Sequence, residues 1–149
     1  MTNWDKKFMR MAYEVARWSK DESTKCGSVI VYDNAIVSSG YNGMCIGIND
    51  NVPERHERPM KYRFFEHSER NGIFLAAKRG AKTEGCTIYI ATIGNDLFCC
   101  SDCARAIIQS GIKRIVIKQP DWENERWKED CKIAKEMLDE CDIKIDFYE

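Results

Sequence analysis

No stretch of this chain approaches ~18 consecutive apolar residues, so no membrane-spanning helix is expected. Its opening residues, Met1-Thr2-Asn3-Trp4-Asp5-Lys6-Lys7, lack the apolar segment of a secretion signal. The expected location is the cytoplasm, or the host cytoplasm if the source is viral. An excess of one charge is also missing. Lys and Arg number 23 against 24 Asp and Glu, a net charge of −1, which leaves no basic field to gather a nucleic acid. Neither membrane nor nucleic acid is expected as a partner. Repeats, low-complexity segments and linkers are absent, and 149 residues suit one domain over 1–149 with one core. Proline is scarce, at three residues. Cysteine is not: there are eight.

In a secreted protein eight cysteines would suggest disulfides, but in a reducing cytosol they point to metal ligands or buried apolar residues. Cys26, Cys86, Cys131 and Cys141 lie in or beside apolar patterns and read as core. Only Cys99, Cys100 and Cys103 cluster at ligand spacing.

The hydrophobic pattern predicts alternating helices and strands. Trp4, Phe8, Met11, Val15 and Trp18 mark one face of a first helix. Segments 27–32 and 35–41 read as a hairpin turned by Asp33-Asn34, and 42–61 as a long polar loop. A helix over 66–79 follows, with Ile73, Phe74, Ala76 and Ala77 inward and Gly80 as its stop. Then come a strand over 87–92, a loop over 93–98, a helix over 100–110 ended by Gly111, and a strand over 113–118. A last helix over 122–140 and a terminal strand over 142–148 complete the order αββαβαβαβ. The expectation is an α/β sandwich, three-layer αβα, with a five-stranded mixed sheet. Its N-terminal hairpin leads into later parallel strands joined by right-handed crossovers.

Two motifs fall at predicted helix starts: His67-Ser68-Glu69 and Cys100-Ser101-Asp102-Cys103. One imidazole and two thiolates make three zinc ligands, and a tetrahedral zinc with three protein ligands keeps one position for water. Helix N-termini carry partial positive charge and favour thiolate. Glu69, two residues from His67, can reach that water without binding the metal and serve as its base. H-x-E followed by P-C-x-x-C is the pattern of zinc nucleobase deaminases. Here Cys99 stands in place of the proline. Two other readings compete: a closed Cys3His site in which Cys99 is the fourth ligand, and a core histidine with three apolar cysteines. His56, the only other histidine, reads as a loop residue. Trp122 and Trp127 suit either core or a subunit contact.

The chain resembles the deoxycytidylate (dCMP) deaminase family of the cytidine deaminase superfamily over nearly its whole length. The resemblance is carried by Ser23-Thr24-Lys25, Gly40-Tyr41-Asn42-Gly43, His67-Ser68-Glu69-Arg70-Asn71, and Cys100 through Ala104 with Ile107, Gly111 and Ile112. Cys45 and Cys99 replace prolines of the family pattern, and Ser68 replaces an alanine. The resemblance implies hydrolytic deamination of dCMP to dUMP and ammonia, supplying dUMP for thymidylate synthesis. His67, Cys100 and Cys103 would hold one Zn2+, and Glu69 would shuttle protons. Asn42 would contact the sugar, and the backbone N–H groups of Ser68 and Cys100 would face the base. It also implies a homo-oligomer, a hexamer, switched by dCTP and dTTP with Mg2+ at a site including Gly43, Gly47 and Asp50. For the 5′-phosphate, Ser23, Thr24 and Lys25 offer hydroxyls and a charge, and Lys25 is the best single candidate. The alternatives are a deaminase of another cytosine or adenine compound, or of a riboflavin intermediate, and a non-catalytic zinc-containing nucleotide-binding module.

Overall fold

Strands Lys25–Tyr32 (β1) and Ala35–Tyr41 (β2) pair antiparallel across a tight turn in which Asp33 and Asn34 have φ of 45° and 59°. Two successive left-handed residues match the right-handed strand twist, and Asp and Asn tolerate that region. This is a computed structural model, and it describes residues 1–148. Before the hairpin runs helix α1 (Asn3–Ala16). After it come a two-residue strand β3 (Gly43–Met44), a 3-10 turn (Pro53–His56), a short helix α2 (Lys61–Phe64) and a two-residue strand β4 (Phe65–Glu66) paired with β3. The remaining elements are α3 (Ser68–Lys78), β5 (Thr87–Ile93), α4 (Ser101–Gln109), β6 (Arg114–Lys118), α5 (Lys128–Glu140) and β7 (Lys144–Tyr148).

The main sheet has the order β2-β1-β5-β6-β7. β5 lies antiparallel to β1, and β6 and β7 continue parallel. Alternate side chains face opposite ways. Ile30, Ile88, Ile90, Ile115 and Ile117 meet residues of α4 and α5, with Ile73 of α3 against the same core, while Val29, Val31, Tyr89, Ala91 and Val116 meet α1. The result is the expected three-layer α/β sandwich with a five-stranded mixed sheet.

Several sequence expectations need correction. The buried face of α1 is Asp5, Phe8, Met9, Ala12, Val15 and Ala16, whereas Trp4, Met11 and Trp18 are exposed. The pattern misleads because a carboxylate occupies a core position and large aromatics cover its edge. Trp4 stacks on Phe8, and Trp18 lies beyond the helix end, edge-on to Tyr41. On α3, Phe74 and Ala77 face outward. That helix meets the sheet through Gly72 and Ala76, because only small residues allow the approach. The last helix begins at Lys128, not 122. Asp121 and Asn124 accept backbone N–H bonds from Glu123 and Arg126, and such Asx turns compete with a helix. Cys86 and Cys131 are buried, Cys26 is half-buried, and Cys141 is exposed. The long polar segment holds three short elements where a loop was expected.

Asp5 shows how a buried charge is tolerated. It accepts from the Thr2 backbone N–H at 2.8 Å, the Tyr89 hydroxyl at 2.8 Å, and two Arg114 guanidinium nitrogens at 2.7 and 3.1 Å. Arg114 also donates to Asp146 at 2.6 Å, so the network ties α1 to β5, β6 and β7. The Arg114 bonds outweigh burial and hold the Asp5 carboxyl well below its ordinary value of 3.8. A depressed folded-state pKa contributes stability above the unfolded value, and that stability is lost as pH falls through the folded one. Asp5→Asn should lower stability by about 2–4 kcal/mol at neutral pH, since Arg114 loses half its partners. In urea denaturation the gap between the two proteins should narrow as pH falls below 3.8. A gap constant over that range would remove Asp5 as the charged partner.

Candidate metal centre and cavity

Both motifs sit where expected, at helix starts. His67 is the N-cap residue of α3 and Cys100 that of α4, where its sulfur accepts the Cys103 N–H at 3.5 Å. The sheet brings the two starts together. An added Cβ on Gly40 of β2 would lie 2.3 Å from the backbone nitrogen of Gly72 and 2.4 Å from the carbonyl of Ser68. Only glycine permits this contact between strand and helix. Ser28 of β1 donates to the same Ser68 carbonyl at 2.8 Å. The start of α4 is held from α5, where Asp130 accepts from the Ser101 N–H at 2.9 Å and the Ser101 hydroxyl at 2.6 Å. Arg70 braces the two helices, pairing with Glu66 and, at 3.4 Å, with Asp102.

His67 Nδ1 lies 3.3 Å from Cys100 Sγ and 3.5 Å from Cys103 Sγ, and the three ligand atoms all fall within 4.8 Å of one another. Tetrahedral zinc with nitrogen at ~2.0 Å and sulfur at ~2.3 Å requires a nitrogen–sulfur separation of about 3.5 Å. The donor set and its spacing therefore fit zinc. Among the described residues this is the one such group, and neither Cys99 nor His56 belongs to it. Cys99 is buried beside Phe98 and Cys131, and burial pushes its thiol well up. His56 Nε2 contacts the Asp50 carbonyl at 2.6 Å, and its ring meets Phe65 edge-on. The Cys100 thiol is lowered from its ordinary value to about 4. The Cys103 thiol bonded to it, helped by His67, holds it low despite burial.

Glu69 is buried at 5% exposure and lines a cavity of ≈ 360 Å³ together with His67 and Cys100. Burial raises its carboxyl above the ordinary value, against the opposing pull of His67. Ser68, where the family pattern has alanine, donates its hydroxyl to Glu69 Oε2 at 2.9 Å. That contact was not foreseen from sequence, which valued Ser68 for its backbone N–H.

The remaining predicted residues divide. Ser23, Thr24 and Asn42 line the cavity. Lys25 does not: its ammonium donates to the Ser19 carbonyl. This corrects the choice of Lys25 as phosphate ligand, since alternation along β1 turns its side chain toward the α1 end. The cations that do line the cavity are Lys61, Arg58 and Arg126. Lys61 is buried against Asp21, whereas Arg126 stacks over Tyr62 and Trp127. Trp127 lines the cavity too, and Trp122 packs in the core on Phe98 and Phe147. Gly43, Gly47 and Asp50 lie outside the cavity: Gly43 in β3, Gly47 in a turn at φ 92°, and Asp50 paired with Lys20 at 2.7 Å.

A three-residue zinc set opening on a cavity with a buried carboxylate, in an αβα sandwich, defines the zinc-dependent deaminase class. The chain belongs to the cytidine and deoxycytidylate deaminase family, whose zinc-binding region matches residues 2–119. It is 37% identical over 146 residues to an uncharacterized deaminase in the luxG 3′ region of Aliivibrio fischeri, covering 97% of this chain and 93% of that protein. It is 40% identical to deoxycytidylate deaminase of Mus musculus and 39% identical to that of Homo sapiens, in each case over 119 residues. Those matches cover 76% of this chain and 63% of each relative. The fold superposes on the dCMP deaminase of cyanophage S-TIM5, solved with dCMP and dUMP, at a TM-score of 0.77 and 20% identity, over 99% of both chains. Among the described residues no helix is long and apolar enough to cross a membrane.

Metal analysis checks the ligand set. Cys103→Ala should lose zinc and melt at lower temperature, because metal binding and folding are coupled. Cys99→Ala should retain one zinc per chain. The reverse pattern would favour a closed site through Cys99.

Proposed function

We propose that this chain hydrolyses dCMP to dUMP and ammonia. The observation that carries the proposal is Glu69, buried within the same cavity as His67 and Cys100. A non-catalytic zinc module has no need of a buried carboxylate there. The relatives that are deoxycytidylate deaminases favour dCMP among cytosine compounds. The net charge of −1 disfavours a tRNA substrate, whose phosphates demand a basic surface.

His67, Cys100 and Cys103 are assigned as zinc ligands. When bound, zinc supplies a Lewis acid that makes the attacking water more acidic. Glu69 takes a proton from that water and delivers it to N3 of cytosine while oxygen adds to C4. It then passes the second proton to the amino group as the C4–N4 bond breaks and ammonia leaves. The backbone N–H groups of Ser68 and Cys100 are assigned to the base edge, on the family resemblance. Ser68 Oγ holds one Glu69 oxygen and so limits the carboxylate's rotation. The 5′-phosphate is assigned to the cavity mouth, to Arg58, Arg126 and the Thr24 hydroxyl. Neither arginine has a carboxylate within ion-pair distance among the described residues. Thr24 Oγ1 accepts from Asn95, which leaves its proton to donate.

Assembly as a homo-hexamer, control by dCTP and dTTP with Mg2+, and a cytoplasmic location belong to the same proposal and rest on the family resemblance. Gly43, Gly47 and Asp50 are its effector residues, and their place outside the cavity suits a second nucleotide site separate from the substrate's.

Loss of cytosine absorbance, followed with dCMP, CMP, dCTP and deoxycytidine side by side, tests the assignment. dCMP should be preferred over deoxycytidine, since a charged phosphate makes stronger hydrogen bonds than neutral contacts. Equal efficiency on the two would refute it. Glu69→Gln should keep zinc and fold while turnover falls by roughly 10²-fold or more. A variant retaining above about a tenth of the rate would contradict the shuttle.

A further inference from the structure

The cavity wall contains a buried ion pair that the deamination chemistry does not use. Lys61 Nζ donates to Asp21 Oδ2 at 2.8 Å, Asp21 Oδ1 at 3.1 Å and Ser23 Oγ at 2.6 Å. Both charged side chains are 8% exposed. The ammonium has three hydrogens and three acceptors, and its charge is cancelled by Asp21, so nothing remains for a phosphate. Burial alone would raise the Asp21 carboxyl, but the bonds from Lys61 and Ser23 outweigh it and hold the group ionised.

The pair fixes the hydrogen polarity of its neighbours. Ser23 Oγ lies 2.8 Å from Asp21 Oδ1, which as a carboxylate oxygen can only accept, so Ser23 donates its single proton there. Lys61 can only donate, so Ser23 accepts from it. One lone pair is left, and Ser23 is an acceptor and nothing else. Asn42 is constrained in the same sense. Its Nδ2 donates to the Thr24 carbonyl at 2.9 Å and Asp21 Oδ2 at 3.4 Å, while its Oδ1 takes the Cys26 N–H at 2.7 Å. Both amide hydrogens are spent, and only an Oδ1 lone pair is free. Two cavity-lining residues thus offer acceptors without donors, beside Thr24, which retains a donor.

We infer that Lys61 is a positioning residue: with Asp21 it locks Ser23 and Asn42 as a paired acceptor for a hydroxyl of the ligand's sugar. An acceptor-only wall repels an anionic phosphate and suits an O–H donor. In dCMP the one sugar hydroxyl is the 3′-OH. The inference rests on the dCMP reading and removes Ser23 from the phosphate set, leaving Thr24 there.

The test compares kcat/KM for dCMP and for 2′,3′-dideoxycytidine 5′-monophosphate, which lacks that hydroxyl. The unmodified zinc enzyme should prefer dCMP by roughly tenfold or more, because the dideoxy analogue leaves the acceptors unpaired. Ser23→Ala should narrow the ratio by roughly three- to tenfold through a loss on dCMP alone, seen chiefly in KM. Lys61→Met should narrow it as well although Ser23 is still present, because the buried Asp21 carboxylate, left without its cation, takes up a proton or shifts toward solvent and no longer fixes the direction of the Ser23 O–H. A merely structural lysine would lower both rates together and leave the ratio intact, which would overturn the inference. If Lys61→Met does not fold, the Asp21→Asn/Lys61→Met double variant, which leaves no unpaired charge, takes its place, and Ser23→Ala decides independently. Turnover of both nucleotides with equal efficiency by the unmodified enzyme overturns the inference but not the dCMP assignment. Absence of any dCMP turnover overturns the assignment, and with it the inference.

Discussion

The proposed metal ligands come from the starts of two different helices, His67 and Cys100 at the N-caps and Cys103 in the first turn, so the site exists only while the sheet holds those two helix starts within one side chain of each other. That constraint governs much of the core. α3 must lie close to β2, and it does so by removing side chains from the contact: Gly40 on the strand, Gly72 and Ala76 on the helix. Ser28 then ties the first turn of α3 to β1 through the Ser68 carbonyl. α4 is fixed from the other side by Asp130. The Ser28 and Asp130 contacts act on residues directly beside His67 and Cys100, so errors of position are not averaged over a flexible side chain.

The same close packing buries Glu69 and makes each buried charge depend on its surroundings. The chain meets that demand in two ways. At Asp5 and at Asp21 a cation and neutral donors saturate the carboxylate, and both groups are held below their ordinary value. At Glu69 the one side-chain donor among the described residues is Ser68, and burial dominates. The saturated carboxylates are structural because their oxygens are occupied. The undersaturated one is suited to moving protons because Oε2 alone is held by a side chain, by Ser68, which leaves Oε1 for the reacting water.

What could be read from sequence follows from distance along the chain. His67 to Glu69 and Cys100 to Cys103 are local patterns, and the helix starts that present them are signalled by their own neighbours. The strand order after β5 follows from the alternation of element types. Lys61 and Asp21 are forty residues apart, and Asp5 and Arg114 are 109 apart. No local period links either pair, so Lys61 was invisible as a wall residue and Lys25, adjacent to the Ser-Thr pair, was favoured in its place. Asp5 also inverted the reading of α1. A carboxylate on the buried face looks like a solvent position until the arginine that pairs with it is known. Trp4 and Trp18 fall on the apolar stripe of α1 by their spacing, although aromatic rings also serve as covers at the rim of a core.

Hydrogen polarity carries this dependence one step further than position does. Ser23 and Thr24 are adjacent hydroxyls with similar inventories, and from sequence they are interchangeable as phosphate donors. Their neighbours separate them. Asp21 takes the Ser23 proton and Lys61 occupies one of its lone pairs, so Ser23 can only accept. Asn95 donates to Thr24, so its proton remains available. A sugar hydroxyl and a phosphate are told apart by the sign of the hydrogen bond they need, and two neighbouring side chains supply the two signs. The distinction is set by Asp21 together with a buried charge from α2, 38 residues from Ser23, which makes the long segment before β4 part of the recognition surface.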